Sequence, residues 1–150
     1  TGHVGSTTFG PMDLTDALTW AAKRKHGVLI TMRSDGRPQS SDIVYGIRDG
    51  LFEISVTNGR AKTANMRRDP RVVLHLTDPA TWSYVSFDAR AELSEPTKRA
   101  GDATSDLMVD YYAAVAGEPH PDLGEYRQAM ADEGRLLVRL TPTGVVGQVH

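Results

Sequence analysis

Apolar and polar positions trade places along most of this chain, and the stretches that break the pattern mark its helices and turns. Residues 28–33, 38–47, 51–57, 71–77, 82–93 and 135–141 read as strands, rich in β-branched and aromatic residues, several with strict alternation. The stretch 82–93 is the clearest. Trp82, Tyr84, Ser86, Asp88, Arg90 and Glu92 fall on one side, and Val85, Phe87, Ala89, Ala91 and Leu93 on the other. The second set is a core face. The first, an aromatic pair ahead of a polar stripe, is expected to meet a ligand or a partner chain. Val145 and Val146 add a short edge piece.

Turn signals separate these runs. Ser34-Asp35-Gly36-Arg37 and Arg48-Asp49-Gly50 join the first strands into an antiparallel meander, with Pro38 at a strand start where its missing donor does little harm. Leu14, Ala17, Leu18, Ala21 and Ala22 recur at helical spacing, with Asp13 or Thr15 as the cap. Lys23, Arg24, Lys25 and His26 crowd that helix's C-terminal end, a dipole match and a solvated face before any second role toward an anion. A helical region runs from Pro96 to near Gly117 on Leu107, Met108, Tyr111, Tyr112 and Val115. A short helix follows on Leu123, Tyr126 and Met130. Residues 1–10 are small and polar and are expected to be a disordered leader or cloning remnant, leaving 11–150 as one domain. The sum is about six antiparallel strands with helices early, midway and late, which fits a small closed or split barrel.

One stretch carries candidate chemistry. Thr57-Asn58-Gly59-Arg60-Ala61-Lys62-Thr63-Ala64-Asn65 follows the third strand and opens a short helix that stops at Pro70. Asn58-Gly59 supplies the turn, since both residues tolerate positive φ. Arg60 and Lys62 sit in the first helical turn, where unpaired N–H groups and the helix dipole also favour an anion. The segment fits a phosphate seat, or a helix start whose basic residues are merely solvated.

Composition narrows the chemistry. With 39% hydrophobic and 24% charged residues, the 150-residue chain has the makeup of an ordinary globular domain. Its net charge of −2 argues against a dedicated nucleic-acid binder and makes any anion site local. The absence of cysteine excludes thiolate chemistry and suits a reducing cytoplasm. No apolar run approaches a membrane span. The five histidines lack ligand spacing, so no metal is expected, and His75 reads as an ordinary sheet residue. No P-loop, G-x-G-x-x-G or nucleophile elbow is present. What remains is a phosphate seat beside a strand-rich core, which suits redox chemistry carried by a flavin-like cofactor.

The ordered set Asp35-Gly36-Arg37-Pro38-Gln39, Arg60-Ala61-Lys62-Thr63 with Asn65, and Arg67-Arg68-Asp69-Pro70-Arg71 resembles the split-β-barrel flavin and deazaflavin oxidoreductases, the pyridoxamine-phosphate-oxidase-like superfamily. Trp82-Ser83-Tyr84, Ala116-Gly117-Glu118 and Tyr126-Arg127-Gln128-Ala129-Met130 are similar to its actinobacterial B-type branch, whose members commonly use the deazaflavin coenzyme F420. The resemblance runs from roughly the first helix to the last strand. It implies a mainly β fold with peripheral helices, a six-stranded antiparallel split β-barrel, in a cytoplasmic homodimer with the cofactor between protomers. It implies that Arg60 and Lys62 hold the cofactor phosphate, with the Ala61 backbone and Asn65 nearby. Ser55 and Val56 are expected against the ring system or its linker, and Gln39 and Ser41 at the edge of the ring pocket. Trp82 and Tyr84 would come from the partner protomer, or Trp82 would be a dimer-core aromatic. Arg135 sits where relatives face the cofactor with a base, or it is a strand-start charge. The implied activity is hydride transfer from reduced F420 to a small electron-poor acceptor, such as an enone, quinone or conjugated pigment. The alternatives are an FMN-dependent enzyme of the same fold or a non-catalytic F420 binder. No residue demands the role of catalytic acid, Tyr84 and Tyr45 being candidates only. Neither nucleic acid nor membrane is an expected partner.

Overall fold

The computed structural model describes residues 12–150. The leader expected at residues 1–10 lies outside them. Helix α1 (Leu14–Ala21) starts at Asp13, whose carboxylate accepts the Thr15 N–H at 2.8 Å. Its small, fully buried Ala17 and Ala21 let it lie close against the sheet. No basic residue occupies its last turn, because the backbone leaves the helix after Ala21 and Lys23 to Lys25 fall in the turn that follows.

The strands are β1 (His26–Met32), β2 (Pro38–Val44), β3 (Gly46–Arg48), β4 (Leu51–Thr57), β5 (Arg71–Asp78), β6 (Ser83–Leu93) and β7 (Arg135–Gln148). They form one curled antiparallel sheet in the order β2-β1-β5-β6-β7-β4-β3. The barrel therefore has seven strands rather than six. The expected return strand, 38–47, breaks at Tyr45: its first part pairs with β1, and Gly46 and Ile47 run on with Arg48 as β3, which pairs with β4. The two tight hairpins are real, but they sit at opposite ends of the sheet order and make no meander. The expected edge piece at Val145 and Val146 belongs to β7, a 14-residue strand held between β6 and β4. A register shift opposite Asp88 and Ala89 lets β7 carry Pro142 and bend without ending.

Tyr45 is the pivot of the break. Its ring is 1% exposed, its hydroxyl donates to the Ala21 carbonyl at 2.6 Å, and its N–H donates to the Lys25 carbonyl at 2.9 Å. Phe52 meets it edge-on at 5.2 Å and meets Phe87 at 4.9 Å, the aromatic centre of the barrel core.

Helix α2 (Ala61–Arg68) follows β4, and α3 (Ala103–Ala116) and α4 (Leu123–Glu133) form a hairpin between β6 and β7. The helical region expected from Pro96 begins at Ala103. Asp102 draws the Lys98, Arg99 and Ser105 N–H groups onto its carboxylate, which holds the preceding residues in a loop and caps the helix. Gly117 ends α3 at φ 81°. The hairpin lies on the outer face of β7, where Met108, Tyr111, Met130 and Leu137 make a second core. Under it, Glu53 is 2% exposed and accepts from Arg48 and Arg139, each at 2.9 Å. No described helix is long and apolar enough to cross a membrane.

Tyr45→Ala should cost about 4 kcal/mol of unfolding free energy, as for truncating a buried aromatic. Tyr45→Phe should cost only about 1 kcal/mol, the net worth of one hydrogen bond, because the Ala21 carbonyl still accepts from the Arg24 N–H at 3.0 Å. Urea unfolding of both variants checks the ranking, and equal losses would remove Tyr45 from its pivotal place.

Candidate functional site

The cleft of interest opens where strand pairing is lost. Along the β3–β4 ladder Gly46 opposes Glu53, so an unbroken strand would bring Val44 opposite Ser55. The chain turns away at Tyr45 instead. Leu137, the β7 neighbour of Ser55, receives the Ser94 N–H on its carbonyl and gives its own N–H to Ser94 Oγ. Ser55 and Leu137 are thus a non-hydrogen-bonded pair, and the Ser55 N–H and carbonyl point into the gap. Asp42, Ile43 and Val44 line one side of the gap and Ser55, Val56 and Thr57 the other, with Arg60, Lys62, Tyr111 and Arg135 around a volume of about 330 Å³.

The first turn of α2 closes one end. Asn58 N–H donates to the Gly134 carbonyl at 3.0 Å, and Thr63 Oγ1 donates to the Thr57 carbonyl at 2.8 Å, which pins the turn to both flanking strands. The turn is right-handed. Neither Asn58 nor Gly59 has positive φ, contrary to expectation, and the Arg60 N–H closes the turn on the Thr57 carbonyl. Arg60 is the N-cap residue but its side chain does no capping, which leaves its guanidinium for other use. Neither Arg60 nor Lys62 forms an ion pair with another described residue. Burial first, then the neighbouring charges of Arg60 and Arg135, hold the Lys62 ammonium below the usual lysine range. Arg135 reaches across β4 to Ser55 Oγ at 3.4 Å and is balanced on its outer side by Glu133 at 3.0 Å. Asp42 is the one carboxylate of this lining. A pocket with this balance is suited to an anion.

The other expected residues fall in several places. Asn65 is 6% exposed and its amide is fully engaged: Nδ2 donates to Thr31 Oγ1 and Gln39 Oε1, and Oδ1 accepts from Arg68. Asn65 and Gln39 therefore tie α2 to β1 and β2 and do not line the cleft. Ser41 lies between Gln39 and Ile43 on the same face of β2, also outside the lining. The Val56 side chain is 1% exposed in the barrel core, so only its backbone borders the cleft. Trp82 and Tyr84 are elsewhere on the chain, with His75 and Pro79 around a second hollow of about 450 Å³. Trp82 is 86% exposed at φ 57°, and the Tyr84 ring stacks on His75 at 5.7 Å. As a proton donor Tyr45 is ruled out: its hydroxyl is spent in the core and burial pushes it up to about 12. Sequence reasoning missed Tyr111, Asp42 and Thr57 as lining residues. Tyr111 read only as an apolar position of a helix, and nothing local to it signals that the α3–α4 hairpin folds back over β4.

Residues 15–148 match the family model described as pyridoxamine 5'-phosphate oxidase. Among solved structures, the chain is similar to a conserved hypothetical protein of Mycobacterium tuberculosis at 23% identity and a TM-score of 0.74, covering 98% of this chain and 91% of that one. It is similar to an F420 reductase at 22% identity and TM-score 0.58, covering 81% and 88%. It is similar to a FAD-binding protein of Mesorhizobium loti at 17% identity and TM-score 0.65, covering 95% and 97%. At these identities the structural likeness is one of fold. With its split antiparallel barrel and a family match spanning nearly the whole sequence, the chain belongs to the pyridoxamine 5'-phosphate oxidase family.

Proposed function

We propose that this chain is an oxidoreductase of the B-type branch that holds the phosphate of coenzyme F420 in the Arg60–Lys62–Arg135 cleft and reduces an electron-poor acceptor such as an enone, quinone or conjugated pigment. One observation carries the reading: Arg60 and Lys62 converge on the gap beside Ser55 with no carboxylate pairing either of them. The residues fit the group. Arg60 suits bidentate recognition of a phosphate and Lys62 a point-charge contact, with the first N–H groups of α2 beside them. The Ser55 carbonyl, which Arg135 reaches at 3.5 Å, would supply an acceptor where the ring edge would lie, its N–H being held by the Tyr111 hydroxyl. When bound, the cofactor supplies the hydride; the chain supplies position, charge and exclusion of water.

The tail of F420 extends beyond its phosphodiester and calls for further cations. Arg67 on the exposed side of α2 and the exposed Lys23 and Lys25 remain for that role. Arg24 does not, being held by Asp78 at 2.6 Å and stacked on the Trp20 ring at 3.5 Å. FMN is the second reading, because a terminal phosphate needs no cation beyond the cleft, and the FAD-binding neighbour matches this fold at least as well as the F420 reductase. A non-catalytic F420 carrier is the third. The proposal includes a cytoplasmic homodimer free of metal, nucleic acid and membrane. In it Gln39 and Ser41 edge the ring pocket, and Trp82 and Tyr84 of a second copy cover it. The exposure of Trp82, away from its own chain's cleft, supports that arrangement.

Calorimetric titration of F420 and FMN into wild type and Lys62→Ala tests the site and the cofactor together. F420 should bind more tightly than FMN, and the substitution should remove about 1.5–3 kcal/mol, as for a charge-assisted hydrogen bond. Unchanged binding in Lys62→Ala would undo the phosphate assignment. Reduced F420 should be oxidised by members of an acceptor panel, whereas tight binding with no turnover would favour the carrier.

Lys62 also sets a pH dependence. Its ammonium starts below the usual lysine range, and a bound anion raises it, so binding takes up protons in the alkaline window between the two values. Affinity should hold at neutral pH and fall as pH rises through the free-protein value. Lys62→Arg, which stays charged, should flatten that fall; an identical profile in both proteins would assign it to another group.

A further inference from the structure

The cationic cleft has one wall that its charges do not explain. Buried Tyr45 and Tyr111 and half-buried Tyr126 have hydroxyls held above the usual phenol range. Tyr45 donates its proton to the Ala21 carbonyl at 2.6 Å and Tyr126 donates to the Met108 carbonyl at 3.0 Å. Tyr111 is 9% exposed and its hydroxyl oxygen accepts from the Ser55 N–H, yet its proton has no acceptor among the described residues. Its ring is fixed in the second core with Met108, Met130 and Leu137, and its hydroxyl end reaches the cleft that Arg60, Lys62, Ser55 and Arg135 surround. Burial keeps the phenol protonated, with the Ser55 N–H and Arg135 opposing that effect and Glu53 adding to it. With its oxygen held by the Ser55 N–H, the hydroxyl has its proton left for a group in the cleft.

We propose that Tyr111 is an anion-binding residue of this cleft, donating its hydroxyl proton to a phosphate oxygen of the ligand held by Arg60, Lys62 and Arg135. The inference rests on the phosphate reading of the cleft and adds to it a recognition element from α3. The choice of residue has a physical reason. Lys62 is already depressed by burial and then by two neighbouring cations, and a further cation at position 111 would depress it more. A neutral phenol adds a directed hydrogen bond without that repulsion, and the rigid ring loses little freedom when it does so. Ammonium and guanidinium groups attract any anion, whereas a fixed hydroxyl favours one oxygen position. Tyr111 is thus a determinant of selectivity for the phosphate end of the ligand. It is also the reason the α3–α4 hairpin must dock: the helix that brings Tyr111 to the cleft packs on α4, the helix that leads into Arg135.

The test compares Tyr111→Phe, which keeps the ring and its packing, with Lys62→Ala. Dissociation constants are measured by fluorescence titration for FMN and riboflavin, and for F420 and its dephosphorylated chromophore. Tyr111→Phe should weaken FMN and F420 about tenfold and leave the two phosphate-free probes unchanged. Wild-type affinity in Tyr111→Phe alongside weakened phosphate binding in Lys62→Ala would overturn the role of Tyr111 and leave the phosphate seat standing. Wild-type affinity in both variants would remove the seat and Tyr111 with it. Equal weakening of all four probes would make Tyr111 a packing residue and also overturn the proposal. A measurement on the unaltered protein stands beside these. With tyrosine labelled at Cζ, the Tyr111 resonance should shift on adding FMN and stay in place on adding riboflavin, and the reverse or no difference would sink the assignment.

Discussion

The proposed site depends on one lost pairing, the place at Tyr45 where the chain passes from the β1 edge to the β4 edge. A fully paired barrel has no free edge and no room for a ligand between strands. Here the chain belongs to the β1 edge up to Val44 and to the β4 edge from Gly46, and the Tyr45 side chain anchors the crossing in the core. The backbone groups of Ser55, which an intact ladder would satisfy, are turned to a cleft. The sheet thus keeps a continuous core on one side of the break and exposes oriented donors and acceptors on the other.

The same break gathers charge. The α2 start, the β7 start and α3 all reach the gap from different parts of the chain, and each is held by its own local chemistry. Thr63 and Asn58 hold the turn before α2, Asn65 ties α2 to β1 and β2, and the α3–α4 core supports Tyr111. Burial of Lys62, and then its closeness to Arg60 and Arg135, is felt as a depressed ammonium. A protein gains nothing in stability from such a cluster, which supports the proposed anion site. The buried Glu53 shows the contrast: where the fold needs positive charge only for structure, as with Arg48 and Arg139, it places a carboxylate between them.

Local signals reported local structure well. The alternation over 82–93 matches β6 residue by residue in burial, and the Asp35-Gly36 and Asp49-Gly50 turns are hairpin turns with left-handed glycines. Asp13 and the Pro70 stop were legible because caps and proline act within a few residues of themselves. The errors were also physical. A strand that changes partners midway looks like one strand, because side-chain alternation carries no record of which neighbour is paired. The start of α3 was misplaced because Asp102, and not Pro96, captures the free N–H groups. The Asn58-Gly59 turn was legible as a turn, but neither residue takes the positive φ it tolerates.

By itself, then, the sequence determined that a curled antiparallel barrel forms and that Arg60 and Lys62 open a helix just after a core strand. Those facts reside in side-chain period and in short-range hydrogen bonding, which a linear chain displays. Only the tertiary structure decided that the cations face a gap between strands, that Asn65 and Gln39 are spent on each other, and that Trp82 stands apart from its own chain's cleft. It also decided that Tyr111 reaches that cleft from a distant helix. Partners across a sheet and the direction of a helix over it are set by packing between remote segments, and no local pattern of residues encodes them.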